Sequence, residues 1–160
     1  ARALQLLEPE AAADALAQME AEQAGAVLRL LDLSFAVDVI REWAPKTAAD
    51  ALAHVPHALA ADLLACVPND AVARVLDKLP PRAGADVLSL LDPSKAAGSL
   101  VSVSSAVQRS VVGRLQLHEL QAVLSKLSHA QQALVFMAMA PDRQRAVVEA
   151  LAREEVEAAA

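Results

Sequence analysis

The 160-residue sequence predicts an all-α fold, a right-handed superhelical solenoid of about twelve short antiparallel helices with twelve residues in each helix-and-turn unit. Three observations predict it: a hydrophobic repeat with a period of twelve, prolines confined to one point of that repeat, and a composition rich in Ala and Leu. Ala and Leu favour helices, whereas the aromatic residues that favour strands make up only 2% of the chain. The hydrophobic content of 56% is enough for one sizeable core.

The repeat is defined by two apolar columns. If units begin at residues 9, 21, 33 and so on to 141, positions 8 and 11 are apolar in every unit. Position 8 holds Leu16, Leu28, Ile40, Leu52, Leu64, Leu76, Leu88, Leu100, Val112, Leu124, Phe136 and Val148. Position 11 holds Met19, Leu31, Trp43, Val55, Val67, Leu79, Leu91, Val103, Leu115, Leu127, Met139 and Leu151. Self-similarity at a fixed period is the signature of a solenoid, in which each unit packs on its neighbours.

The prolines mark the boundaries between helices. They occupy position 1 or the residue before it: Pro9, Pro45, Pro81, Pro93 and Pro141, and Pro56, Pro68 and Pro80. Proline lacks an N–H and cannot continue a preceding helix, but it fits the first helical turn. Helices of about eight or nine residues are unstable alone in water, so each needs its neighbours. Tight turns favour antiparallel helix pairs, which predicts a structural repeat of 24 residues.

Positions 4 and 5 form a seam of small residues through the first eight units. They are Ala12-Ala13, Ala24-Gly25, Ala36-Val37, Ala48-Ala49, Ala60-Ala61, Val72-Ala73, Gly84-Ala85 and Ala96-Ala97. In the last four units they become Gln108-Arg109, Leu120-Gln121, Gln132-Ala133 and Gln144-Arg145. We therefore expect one superhelical domain over residues 1–152 with a change of packing near residues 99–105. Residues 153–160 are expected to form a last helical turn and a linker.

Charge is distributed unevenly along the chain, whose net charge is −6. Residues 1–92 carry 14 acidic and 7 basic side chains, and residues 93–160 carry 6 and 7. A basic stripe with stacking aromatic residues is missing, which argues against nucleic acid as a partner. No apolar run approaches the ~20 residues that cross a bilayer, so we expect no membrane span.

The single cysteine, Cys66, excludes an internal disulfide and fits a reducing compartment. We expect Cys66 to be a small buried residue and Trp43 to be a core wedge. The chain begins Ala1-Arg2 without an initiator Met, which indicates a fragment or a processed product.

The sharpest polar pattern is at position 6, where Asp14, Asp38, Asp62 and Asp86 recur every 24 residues. Position 6 is opposite the apolar face, so these carboxylates are expected to form a row along one wet surface of the stack. Stacked helix axes lie about 8–10 Å apart, whereas Mg²⁺ requires oxygens at about 2.0–2.1 Å. The row therefore cannot chelate one ion alone. It is either an ordinary solvated face or an acidic surface. Such a surface could attract cations diffusely, bind Mg²⁺ through retained waters, or contribute one or two ligands at an interface with another domain.

Sequence motifs of enzymes are missing. His54 and His57 flank Pro56 at a helix boundary, which favours solvent-facing or capping roles over metal binding. There is no HExxH, GxGxxG, P-loop or GxSxG motif, and no acid–base pair can be assembled from the spacings. The chain is therefore predicted not to be an enzyme.

Three segments carry a resemblance to a known family. Residues 45–56 (PKTAADALAHVP) and 80–93 (PPRAGADVLSLLDP) are similar to the helical repeats of the cytosolic N domain of MgtE-type magnesium transporters. Residues 148–155 (VEALAREE) resemble the stretch with which that domain leads toward its pair of CBS domains. The resemblance covers most of residues 7–155.

The resemblance implies a cytoplasmic regulatory module on the cytosolic side of a membrane protein, with Mg²⁺ as the candidate cation. Asp14, Asp38, Asp62 and Asp86 would share a Mg²⁺-neutralised interface with a neighbouring CBS-type domain. The alternative is a stand-alone helical-repeat scaffold that binds a protein partner without an ion. A downstream CBS pair and apolar spans in the full-length gene product would distinguish the two.

Overall fold

The chain is described by a computed structural model that covers residues 2–160. Within this range all regular structure is helical, with a 3₁₀ turn over Leu4–Leu6 followed by twelve α-helices, which confirms the predicted fold class. The helices are α1 (Pro9–Ala17), α2 (Ala21–Leu28), α3 (Leu33–Glu42), α4 (Pro45–Leu52), α5 (His57–Ala65), α6 (Asn69–Leu76), α7 (Pro81–Leu90), α8 (Pro93–Leu100), α9 (Ser105–Val112), α10 (Leu117–Leu124), α11 (His129–Ala138) and α12 (Pro141–Ala159). Every one begins at position 1 of a predicted unit.

Proline chemistry explains seven of the twelve helix starts, those of α1, α4, α5, α6, α7, α8 and α12. A proline restricts the residue before it to extended backbone, and extended backbone is what an N-cap residue requires. Ala44, which precedes Pro45, has φ −60° and ψ 145°. Pro56 and Pro68 are themselves N-cap residues, and their φ of −56° lies within the range that the proline ring permits.

The turns between helices connect the two core columns. In most units the position 11 N–H donates to the position 8 carbonyl of the same unit, as in Val55 to Leu52 (3.3 Å) and Val67 to Leu64 (3.2 Å). Leu79 and Leu115 donate instead to the position 7 carbonyl. The chain then extends for one residue and enters the next helix. No residue between 2 and 160 has a positive φ, so these turns require no glycine.

The closest packing joins helices that are two apart in the chain. Odd-numbered helices stack on odd-numbered ones and even-numbered on even-numbered ones, as in α1 with α3, α2 with α4 and α5 with α7. The solenoid therefore has two layers, and equivalent places in one layer recur every 24 residues. The right-handed twist and the antiparallel order of consecutive helices stay predictions.

The core lies along the two predicted columns. From the second to the tenth unit every residue at positions 8 and 11 is buried, and Leu16, Leu64 and Leu100 are fully inaccessible to solvent. The exposed members are Met19, Val148 and Leu151, which lie in the first and last units. Those units lack a neighbour on one side, so their apolar positions stay uncovered.

The structure confirms the prediction for Trp43 and contradicts the one for Cys66. Trp43 is buried, and its indole N–H donates to the Ala13 carbonyl at 2.8 Å, which links the first and third helices. Cys66 is exposed, because position 10 lies just past the end of α5, outside the apolar face. Its Sγ lies 3.6 Å from the Asp62 carbonyl oxygen.

The last helix is longer than the others. α12 runs without a break to Ala159, where the sequence pattern favours one turn and a linker. The proposed domain boundary near residue 152 therefore stays a prediction. Despite its 19 residues, neither α12 nor any other helix within residues 2–160 is both long and apolar enough to cross a membrane.

Candidate docking surface

The four position 6 aspartates occupy equivalent places in one layer of the stack. Each is the sixth residue of its helix: Asp14 in α1, Asp38 in α3, Asp62 in α5 and Asp86 in α7. These four helices stack in that order, with α3 between α1 and α5 and α5 between α3 and α7. We call the four residues the aspartate row.

Solvent access differs along the aspartate row. Asp14 and Asp62 are exposed, whereas Asp38 and Asp86 are partly covered. Asp38 Oδ1 lies 3.8 Å from Arg41 Nη1 on the same helix. Asp86 Oδ2 lies 3.4 Å from His57 Nδ1, the first residue of α5. Both pairs are about half exposed, and such pairs contribute little to stability.

The fifth aspartate at position 6, Asp50, belongs to the other layer. It lies on α4 and pairs with Lys46 one turn earlier at 3.0 Å. The two layers therefore separate Asp50 from the aspartate row, and its charge is already compensated.

The contact between His57 and Asp86 was missed by sequence reasoning, which assigned His57 a solvent-facing or capping role. It joins position 1 of α5 to position 6 of α7, and the two meet only because alternate helices stack. A spacing search in one chain has no signal for such a pair, since neither residue type is unusual at its position.

The aspartate row does not form a chelating site by itself. Within residues 2–160 no group of three or more His, Cys, Asp and Glu side chains is arranged to hold a metal ion. This agrees with the separation of about 8–10 Å between packed helix axes. A cation on this surface would keep most of its waters or take further ligands from a second domain.

The fold defines a class of protein: a helical-repeat module with a row of aspartates along one layer of its stack. The family model of the MgtE intracellular N domain matches residues 7–100, which is more than half of the chain and includes the whole aspartate row. The chain therefore belongs to the family of MgtE intracellular N domains, the transport-associated cytosolic part of magnesium transporters. No curated protein and no solved structure matches it.

Proposed function

We propose that this domain regulates a magnesium transporter by docking its aspartate row on a neighbouring CBS-type domain when Mg²⁺ neutralises the contact. The observation that carries the proposal is the placement of four carboxylates at one position of four successively stacked helices, all inside the family-matched segment. Because the four carboxylates share one position of successively stacked helices, a single partner surface could contact all of them.

The electrostatics support a role for a cation at this surface. The row lies in the part of the chain that carries 14 acidic and 7 basic side chains, so an acidic partner would be repelled. Mg²⁺ binds carboxylates while retaining several waters, which suits a site shared between two surfaces. Asp14 and Asp62, which have no basic side chain within 4.0 Å in the described residues, would contribute most.

The experiment is a binding titration between this chain and a purified CBS-domain pair of an MgtE-type transporter, at Mg²⁺ concentrations from zero to millimolar. Affinity should rise with Mg²⁺, and the Asp14→Asn/Asp62→Asn variant should lose most of that dependence. The control Glu22→Gln/Asp70→Asn also removes two negative charges, but from α2 and α6, which belong to the other layer. It should behave like the unmodified chain.

Two results would count against the proposal. Equal Mg²⁺ dependence in both variants would mean that bulk charge, and not the aspartate row, governs docking. An affinity that does not change with Mg²⁺ concentration would favour the alternative, a helical-repeat scaffold that binds a protein partner without an ion. Mg²⁺ added to the isolated chain should leave its melting midpoint nearly unchanged, since a ligand stabilises only in proportion to its affinity for the folded form.

A further inference from the structure

Two cavities of equal size open at equivalent places in the repeat, each with a volume of about 600 Å³. The first, in the early part of the solenoid, is lined by Arg41 and Arg74 together with Trp43 and Pro68. The second, near the carboxyl end, lies between α9, the end of α11 and the start of α12. It is lined by Arg109, Gly113, Met137, Ala138, Met139, Ala140, Asp142, Arg143 and Ala146. Each cavity thus contains two arginines.

The arginines of the first cavity already have partners. Arg41 Nη1 lies 3.8 Å from Asp38, and its Nη2 donates to the Cys66 carbonyl at 2.8 Å. Arg74 pairs with Asp70 at 3.4 Å. This cavity therefore offers little uncompensated positive charge, which makes it a natural control for the second one.

The arginines of the second cavity have no anionic partner. Within the described residues no carboxylate oxygen lies within 4.0 Å of either Arg109 or Arg143. Asp142 lines the same cavity but lies beyond that distance from both guanidinium groups. The cavity lies in residues 93–160, which carry 6 acidic and 7 basic side chains, so this part of the chain has no surplus of carboxylates to compensate the two arginines.

Arg143 also leaves one hydrogen-bond donor unused. Its side chain is partly buried, and its Nη2 donates to the Leu115 carbonyl. That bond holds the guanidinium between α12 and the turn before α10. Its Nε is buried and has no hydrogen-bond partner. A buried N–H without a partner is unfavourable. Because this Nε is sealed from solvent, a ligand in the cavity would gain its hydrogen bond by drawing the Arg143 side chain toward the cavity.

We propose that this cavity binds a phosphate group between Arg109 and Arg143. Guanidinium groups match phosphate oxygens with paired, charge-assisted hydrogen bonds, and two of them suit a dianion better than a carboxylate. The cavity falls within the range of about 300–1,000 Å³ that small molecules occupy. Met137, Met139 and Ala140 supply an apolar wall for an organic remainder. The site lies outside the family-matched segment and does not depend on the aspartate row.

The test is an NMR titration of the whole chain with inorganic phosphate, phenyl phosphate and acetate in parallel. The reporters are the Gly113 amide and the Arg143 Nε–H. We expect saturable shifts with the phosphates and no saturation with acetate. Arg109→Gln should weaken phosphate binding by about tenfold, the value of one charge-assisted hydrogen bond. Asp142→Asn should strengthen it, because a repelling carboxylate is removed from the wall.

The controls separate the site from nonspecific charge. Arg41→Gln changes the matching cavity in the early part of the chain and should leave phosphate binding unaffected. Arg109 is exposed, so its replacement should not disturb folding, whereas Arg143 also bonds to the backbone. Tighter binding of phenyl phosphate that is lost in Met137→Ala would identify a phosphate ester as the ligand, and equal binding would identify free phosphate. Unsaturable shifts, an equal response to acetate, or unchanged affinity in Arg109→Gln would overturn the proposal.

Discussion

Helices α1–α8 and helices α9–α12 share one twelve-residue register but are held together by different side chains. In the first group both seam positions, 4 and 5, are buried in every helix, and almost all of these residues are Ala or Gly. In the second group Leu120 is the one fully buried seam residue among those described. Backbones therefore approach closely in the first group, and longer side chains fill the seam in the second.

In the second group glutamines replace small seam residues, and they form hydrogen bonds where the small residues allow close packing. Gln108, Gln132 and Gln144 each donate an amide hydrogen to a carbonyl eight residues earlier, near the end of the preceding helix. The last carbonyls of a helix have no partner within it. The Gln108 amide supplies a partner for the Leu100 carbonyl. The Leu124 and Phe136 carbonyls also accept from a turn N–H, so there the amide adds a second hydrogen bond. The seam thus changes from a dry contact to a row of hydrogen bonds.

The helix starts differ between most members of the two groups, although α8 is capped by Asp92 and α12 begins at Pro141 without a side-chain cap. The N-cap side chains of α1–α7 make no capping bond, and prolines define most of those starts. Ser104 accepts from the Val107 N–H at 3.5 Å, and Ser128 forms a reciprocal capping box with Gln131. One register can therefore be built from backbone restriction and close packing, or from side-chain hydrogen bonds. The family match ends at residue 100, close to this change.

The largest expected effect comes from position 8, where the buried part of the stack contrasts with its open end. Leu64 is fully buried, so Leu64→Ala should lower the free energy of unfolding by about 2–5 kcal/mol. Val148 holds the same position but is 53% exposed, so Val148→Ala should cost less than about 0.5 kcal/mol. Urea denaturation measures both. Equal losses would mean that the last unit is covered as fully as the middle ones.

Two seam glycines give the next effect, and they should differ in sign. A Cβ at Gly25 would lie 2.8 Å from the Ala51 carbonyl oxygen, a backbone atom of the stacked helix α4. Gly25→Ala should therefore cost about 1–3 kcal/mol. At Gly84 the nearest atom would be Leu76 Cδ2 at 3.8 Å, an ordinary contact. Gly84→Ala should stabilise the helix by about 0.5–1 kcal/mol.

Thermal or urea unfolding of these two variants measures the change in stability. The comparison decides whether a small residue is required at every seam position or only where two helix backbones are in close contact. A loss at both positions would mean that small size matters throughout the seam. A gain at both would mean that α2 and α4 are farther apart than their contact indicates.

The smallest effect concerns the glutamine seam. Gln132 Nε2 donates to the carbonyls of Leu124 at 2.8 Å and Leu127 at 3.2 Å, so Gln132→Ala should cost about 0.5–1.5 kcal/mol. Gln121, on the neighbouring helix α10, makes no side-chain hydrogen bond within residues 2–160, and its replacement by Ala should cost less than about 0.5 kcal/mol. Amide hydrogen exchange near Leu127 provides a local measure. Equal results for the two variants would argue that the second group does not depend on these bonds.

Much of the fold could be predicted because its determinants are local. Most helix starts follow from proline and its effect on the preceding residue, and the core columns follow from a strict period. The misses concern contacts between units. The sequence shows which seam residues change and predicts a change of packing near residues 99–105. It does not indicate that Gln108 and Gln132 reach carbonyls of the preceding helix. Cys66 was placed in the core, because an apolar side chain beside a helix end has no local sign of exposure.

The candidate site was predicted to a lesser extent. The spacing of Asp14, Asp38, Asp62 and Asp86 indicates equivalent positions, but which carboxylates are partnered depends on neighbouring helices. The pairing of His57 with Asp86 and the convergence of Arg109 with Arg143 on one cavity leave no periodic trace in the sequence.

By itself, the sequence determined where each helix begins, which residues form the hydrophobic columns, and that the aspartates recur at one position. These features depend on backbone restriction and on periodicity, which act over one or two turns of chain. Only the tertiary structure decided which helices stack, which charges are compensated and where cavities remain. Those outcomes depend on distances between units that are far apart in the chain, and side-chain lengths at the seams set these distances.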